Sequence, residues 1–373
     1  MKLSSRIPMI DGLRAISILF VVISHLVGLL GHHYRNVVAQ RLLSLFSLGH
    51  FGVTVFFVIS GFLITTLLLN ELDESGTIRL VRFYFRRTLR IFLPFYVLLA
   101  ATFALRTFGL CHLSTHNFVA AATYTMNYLG EATRDLDFLS HSWSLCVEEH
   151  FYILWPAALL LLGRSKGMKL AASFLVICPA LRLWGWHTLH STTFFQSHYV
   201  ADSLACGALL AGMREWLHGN SLYNRFLHSK FCMFLPFLAI GIALLASHPS
   251  LFPYAYVTVG ISVMNLGITI TLDWVLSKPT AFASRLLLAP ALQWIGLASY
   301  SVYLWQQMFT DTPLLSRVGG VWPQVLLAFA ATVATASVSY YLVEQNAMKL
   351  RHCLEPRLLG QKERPVVSAA AAN

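Results

Sequence analysis

The feature that most constrains this chain is a series of apolar runs, each near the roughly 20 residues that a helix needs to cross a ~30 Å hydrocarbon layer. They fall at Leu13–Leu30, Phe51–Leu69, Ile91–Phe108, Trp143–Leu162, Leu170–Trp186, Tyr199–Met213, Phe231–Ala246, Tyr254–Leu272, Leu292–Met308 and Val321–Val343. Lipid offers backbone N–H and C=O groups no water, so each run satisfies them internally as a helix. The expected fold is all-α, a polytopic transmembrane bundle of about ten helices. The sixth run is short, and Asn117–Leu129 reads as a partial further element. An even number of crossings puts both termini on one side.

Charge orients the bundle. Twenty of the 27 Lys and Arg residues fall in the N-terminal stretch and in segments on its side of the membrane. Six (Arg35, Arg41, Arg106, Arg134, Arg182 and Arg317) fall on the opposite side. Cytoplasmic loops carry such an excess, so the expected topology is N-in and C-in, in a cell (inner or plasma) membrane. The same excess, a net +11, would point to nucleic acid in a soluble protein. Here 57% of residues are hydrophobic and 12% charged, against ~45–50% and ~25% in soluble domains. That excludes a soluble enzyme or nucleic-acid binder and leaves lipid as the surrounding partner. The six cysteines form no CxxC pair and the fifteen histidines no HExxH, so neither a metal site nor a permanently bound cofactor is expected. The first run carries Asp11 and Arg14 and no cleavage site follows it, so it reads as a retained helix. The organisation is one membrane domain over residues 1–348 and a short disordered cytoplasmic tail over 349–373.

Ionisable groups inside a span are expensive and mark functional candidates. The first helix holds Asp11, Arg14 and His25. Eleven residues at 100° each bring His25 to within ~20° of Arg14 on the helix wheel, ~16 Å further along the axis. Asp11 and Ser17 flank Arg14 at ~60° on either side. One helix side thus presents an anion clamp near the inner rim and an imidazole, the usual general base, deeper in. A snorkelling Arg14 and a neighbour-satisfied His25 are the alternative.

Other polar residues interrupt later runs. In Trp143-Ser144-Leu145-Cys146-Val147-Glu148-Glu149-His150, Ser144 and Glu148 share a helix face, and Glu148 reaches the depth expected for His25. A carboxylate there would orient the imidazole. The alternative places Trp143 in an interfacial aromatic belt and the glutamates in water. Ser60-Gly61 reads as a close-packing step, with Ser60 also able to line a channel. Arg79, Arg82, Arg86 and Arg90 form one helical stripe with Arg87 beside it, suited to phosphate or to anionic lipid. Asp202 and Glu344 are further membrane acids, open to arginine pairing or to chemistry, and Tyr300-Ser301-Val302-Tyr303 adds a hydroxyl-rich stripe.

These segments, in this order, resemble the membrane acyltransferase type 3 family. The matching stretches are Asp11-Gly12-Leu13-Arg14 with His25, Gly52-Val53 through Ser60-Gly61-Phe62, Arg86-Arg87 with Arg90 and Pro94, Trp143-Ser144-Leu145 with Glu148 and Phe151-Tyr152, Asp202, and Tyr300-Ser301 with Tyr303-Leu304. They run from about residue 8 to 345. The resemblance implies an enzyme that takes an acyl group, often acetyl, from cytoplasmic acyl-CoA as co-substrate. The group passes to a hydroxyl of a saccharide or lipid-linked saccharide, commonly surface polysaccharide. It implies His25 as the catalytic base and Arg14, Arg87 and Arg90 in donor binding or activity. The chain departs from the family pattern where Gln306 stands for a histidine, Val200 for an arginine and Asn346 for a proline. The esterase-like domain of longer members is not expected here, so transfer needs this module alone or a separate extracytoplasmic partner.

Together these readings assign His25 and Glu148 to catalysis, and Asp11, Arg14, Ser60, Arg86, Arg87 and Arg90 to the donor. Trp143, Ser144, Asp202 and Tyr300 are assigned to the acceptor or the channel wall. The competing function is a transporter or flippase of an amphiphile, whose buried charges would gate passage.

Overall fold

Proline and glycine set several helix limits. In the computed structural model, which describes residues 6–34, 36, 42–43, 46, 48–111, 113–130, 138–189, 194–246, 259–279, 281–310 and 318–359, no strand occurs among the described residues. Helix α1 (Pro8–His33) opens on a proline, whose fixed φ suits a first turn. Helix α2 (Gly49–Ser75) closes on Gly76, which takes φ 71° and donates its N–H to the Leu72 carbonyl. Then follow α3 (Leu80–Thr107), α4 (Ser142–Leu189), α5 (Ser197–Gly219), α6 (Leu235–Ala246), α7 (Ile261–Ser277) and α8 (Pro290–Trp305). Helix α9 (Val321–Ser339) passes through a widened turn, Tyr340–Glu344, into α10 (Gln345–Leu359).

Five helices are long and apolar enough to cross a membrane, or six if one bent pair, Ser221–Leu227 with Lys230–Leu244, is a single span. The expected ten are therefore not all met by length and apolarity among the described residues. Helix α7 has only 17 residues and α8 only 16, while α5 carries Asp202, Arg214 and Glu215. Conversely α4, with 48 residues, holds two of the expected runs and breaks at Gly163, whose φ of 68° and ψ of 176° are not helical. Part of the eighth run (254–258), the tail from 360 and Lys2, Arg35, Arg41, Arg134, Arg317, Lys362 and Arg364 lie outside the described residues.

Close backbone approach holds the bundle around the site. A side chain at Gly61 would meet the Leu204 carbonyl and one at Gly207 the Val58 carbonyl, so α2 and α5 touch through reciprocal glycines. Helices α1 and α8 run parallel: Gln293 donates to the Pro8 carbonyl at 2.7 Å, and one turn on Gly296 abuts the Asp11 carbonyl.

The stretch Leu110–His141 contains a helix at Thr115–Ala122, capped by Ser114, and a tighter turn at Met126–Tyr128, where a partial further element was expected at Asn117–Leu129. Ala120, Ala121, Tyr124 and Met126 are buried there, with Tyr124 packed on Phe92 and Phe95. Its apolar residues fold inward because the bundle gives them a place to bury. The expected disordered tail is also helical as far as Leu359, because α10 finds charged partners on α3, described below.

Candidate active site

Five helices converge on a cavity of ≈ 110 Å³. Helix α1 brings Arg14, α2 Ser60, α3 Arg87 and Arg90, α4 Ser144, Glu148 and Glu149, and α8 Tyr300. Arg14 and Arg87 each stand ~10 Å along their helices from the end that begins α1 and α3, and Ser60 ~16 Å from the start of α2. Three guanidinium groups and two carboxyl groups thus line one space inside the bundle.

Fixed partners hold most of these groups. Glu148 accepts from Ser60 at 2.8 Å and from Tyr152 at 3.0 Å, and the Tyr152 and Ser60 oxygens are 3.1 Å apart. Glu148, expected to orient His25, thus has its oxygens engaged by α2 and by its own helix. Ser60 stands opposite it, and Tyr152 lies one turn on. The Arg87 guanidinium sits 4.4 Å from the centre of the Tyr152 ring, a cation–π contact that fixes its plane. The Tyr300 hydroxyl donates to the Ile91 carbonyl at 2.7 Å, in the turn before Pro94, which supplies no N–H to α3. Ser144 and Tyr303 share a hydrogen bond of 2.5 Å.

The sequence model of the acyltransferase 3 family, described as an acyltransferase domain, matches residues 7–344. The chain belongs to that family. A Staphylococcus aureus (strain COL) protein named as a candidate O-acetyltransferase is 28% identical over 91% of this chain and 56% of its own length. A Bacillus subtilis (strain 168) protein named as a candidate peptidoglycan O-acetyltransferase is 27% identical over 91% of this chain and 54% of its own. The peptidoglycan O-acetyltransferase OatA of Listeria monocytogenes is 26% identical over 92% and 56%. The chain spans about half the length of these curated relatives. No solved structure matches it significantly.

Within this acyltransferase 3 chain, other expected site residues stand apart from the cavity. Asp11 accepts from Arg6 at 2.5 Å and lies 3.9 Å from Arg14, tying the start of α1 together. Trp143, expected at a channel wall or in a belt, is buried between Phe57 and Phe195 with His50 stacked on it. Asp202 forms a fully buried pair with Arg182, 2.8 Å between oxygen and nitrogen. His25 is half-buried on α1 and is not among the residues that line this cavity. Gln306, the position of the missing histidine, is buried, and its side-chain amide has no hydrogen-bond partner among the described residues. Among the described residues, no group of three or more His, Cys, Asp or Glu is placed to hold a metal ion.

The arginine stripe divides in two. Arg87 and Arg90 face the cavity, whereas Arg82 and Arg86 hold Glu355 of α10, with Nε–Oε1 distances of 2.7 and 2.9 Å. The reason is a partner more than 260 residues away in sequence, beyond the family match. The helical stretch Val321–Leu358, widened turn included, has 38 residues, ~57 Å against a ~30 Å layer, and its apolar run ends at Val343, so the Glu355 end reads as extending beyond the hydrocarbon. Burial pushes the Glu355 carboxyl up, but the hydrogen bonds and charges of Arg86 and Arg82 overrule it and hold it down at about 2. The docking contribution is therefore complete above the ordinary glutamate range and disappears only as pH falls through about 2. Glu355→Gln should free α10 at neutral pH, and limited trypsin digestion at Arg351 and Arg357 should accelerate about tenfold. An unchanged cleavage rate would mean that apolar contacts alone dock the helix.

Proposed function

We propose that this chain is a membrane O-acyltransferase. It takes an acyl group, acetyl in the simplest case, from acyl-CoA on the cytoplasmic side and passes it to a hydroxyl of a saccharide or lipid-linked saccharide. The observation that carries this reading is the convergence of Arg14, Arg87 and Arg90 with a carboxylate pair on one buried cavity in a chain of this family. Guanidinium groups in a water-poor space attract the anionic donor and stabilise the negative charge that develops on a thioester oxygen during attack. Glu148, held by Ser60 and Tyr152, keeps the Tyr152 ring under Arg87. His25 is the base in this proposal, taking the acceptor hydroxyl's proton as the new C–O bond forms and the C–S bond breaks, and the thiolate leaves as the protonated thiol. In this reading the N-in, C-in orientation expected from loop charge sets α10 and the start of α1 on the donor's side. Relatives named for peptidoglycan make a glycan the first acceptor to test.

Purified protein in nanodiscs, given radiolabelled acetyl-CoA, should consume it only when a saccharide acceptor is added. Consumption without transfer, or none with any glycan, would turn the reading toward a carrier. Arg87→Ala and Arg90→Ala should each raise the KM for acetyl-CoA by about 10- to 100-fold, the worth of a hydrogen bond to a charged group. Arg86→Ala, whose partner is Glu355, should change it far less. Equal KM values across all three variants would leave the arginines as lipid or structural cations.

A further inference from the structure

Among the described residues, two polar groups that line the cavity have no hydrogen-bond partner. Glu149 is 4% exposed and its Oε1 atom is sealed from solvent without a partner there. Ser299 of α8 is 1% exposed and its Oγ is likewise sealed and unpartnered. Both line the same cavity as Arg14, Arg87 and Arg90. The neighbouring polar groups are engaged: Glu148 by Ser60 and Tyr152, Ser144 by Tyr303, and Tyr300 by the Ile91 carbonyl. Burying a carboxylate oxygen and a hydroxyl without partners is costly, and such groups in a native fold call for a ligand or a function.

The chemistry of the pair selects the ligand. An unpartnered carboxyl oxygen is an acceptor, so Glu149 Oε1 calls for an N–H or O–H donor. A serine hydroxyl free of its helix can donate to a carbonyl. An acceptor and a donor in one narrow space match the two ends of a secondary amide. We infer that Glu149 and Ser299 form a seat for a substrate's secondary amide, Glu149 taking its N–H and Ser299 its carbonyl. This rests on the acyltransferase reading and deepens it, because both proposed substrates carry such a group: the pantetheine arm of acyl-CoA and the N-acetyl group of an amino sugar. The arginines then draw the phosphates, and Glu149 and Ser299 take the amide of the arm or sugar beyond them.

The test compares Glu149→Leu, Glu149→Gln and Ser299→Ala with wild type in the full chain in nanodiscs. Three quantities are measured: affinity for coenzyme A, affinity for 3′,5′-ADP (which keeps two of the phosphates and lacks the amides), and acceptor KM with chitotetraose. Glu149→Leu should weaken coenzyme A binding by about 10- to 100-fold and leave 3′,5′-ADP binding unchanged, and Glu149→Gln, which keeps an acceptor oxygen, should stay within about fivefold. Ser299→Ala should lose about three- to tenfold. If coenzyme A affinity holds and the chitotetraose KM rises by the same factors, the amide belongs to the acceptor. Unchanged values on both sides overturn the assignment. So do equal losses for Leu and Gln, or parallel losses of coenzyme A and 3′,5′-ADP with a lowered Tm, because these mark a charge or folding role. Wild type that neither binds coenzyme A nor acylates chitotetraose overturns the acyltransferase reading itself, and this inference with it. Wild type that does both while Glu149→Leu matches it overturns only the amide seat.

Discussion

Asp202→Ala should cost the protein about 3–5 kcal/mol of stability, enough to remove most of the folded material from detergent extracts. Arg182 is 0% exposed. Its two terminal nitrogens meet the Asp202 oxygens at 3.1 and 2.8 Å, the Tyr199 carbonyl at 2.5 Å and Ser262 at 3.1 Å. Removing the carboxylate leaves a buried cation without its counter-charge, and the loss arises from that stranded charge more than from the bond itself. The double variant Arg182→Met, Asp202→Leu should therefore recover most of the lost Tm. Its activity separates two roles for Asp202. A recovered fold with near-normal transfer leaves the pair as a strut between α4 and α5. A recovered fold without transfer would return Asp202 to the acceptor path, where its sequence context places it.

The same pair shows what the sequence withheld. The family pattern would have an arginine two residues before Asp202, and Val200 stands there instead. The partner comes from position 182, on the preceding helix and 20 residues away, a contact that local spacing does not disclose. Period-based reasoning did better where all relevant residues share one helix or face one cavity. Arg14, Ser60, Ser144, Glu148 and Tyr300 stood out as polar residues in apolar runs and Arg87 and Arg90 as part of an arginine stripe, and all seven line one cavity. A helix wheel orders residues around an axis but does not say what packs against each face. It grouped Arg82 and Arg86 with Arg90, although Glu355 claims the first two. It also gave no reason to prefer Glu149, since adjacent residues point ~100° apart and either glutamate could face lipid, water or the cavity. The all-helical class was legible because lipid leaves no other way to satisfy the backbone along these runs. Length and apolarity single out only five or six of the ten expected crossings among the described residues, because α7 and α8 fall short of an independent span there.

His25→Ala should lower kcat for acyl transfer by about 100- to 10,000-fold, the usual contribution of a positioned general base, while leaving the affinity for coenzyme A unchanged. Of the two carboxylates lining the cavity, Glu148 is already hydrogen-bonded through both oxygens, by Ser60 and Tyr152, and is poorly placed to accept a further proton. Glu149 serves binding in the inference above and should show its loss in KM or affinity. The two residues thus predict opposite signatures, a kcat effect for His25 and a binding effect for Glu149. Eleven residues along α1, ~16 Å from Arg14, the imidazole stands further toward the side from which the acceptor arrives in the proposed route. A donor that binds normally to the His25→Ala protein but transfers nothing fits a base at the acceptor's end of the route. If His25→Ala transfers at a near-normal rate, proton removal belongs to another group. Glu149 would then be the first to examine, and a fall in kcat for Glu149→Gln at unchanged coenzyme A affinity would locate it.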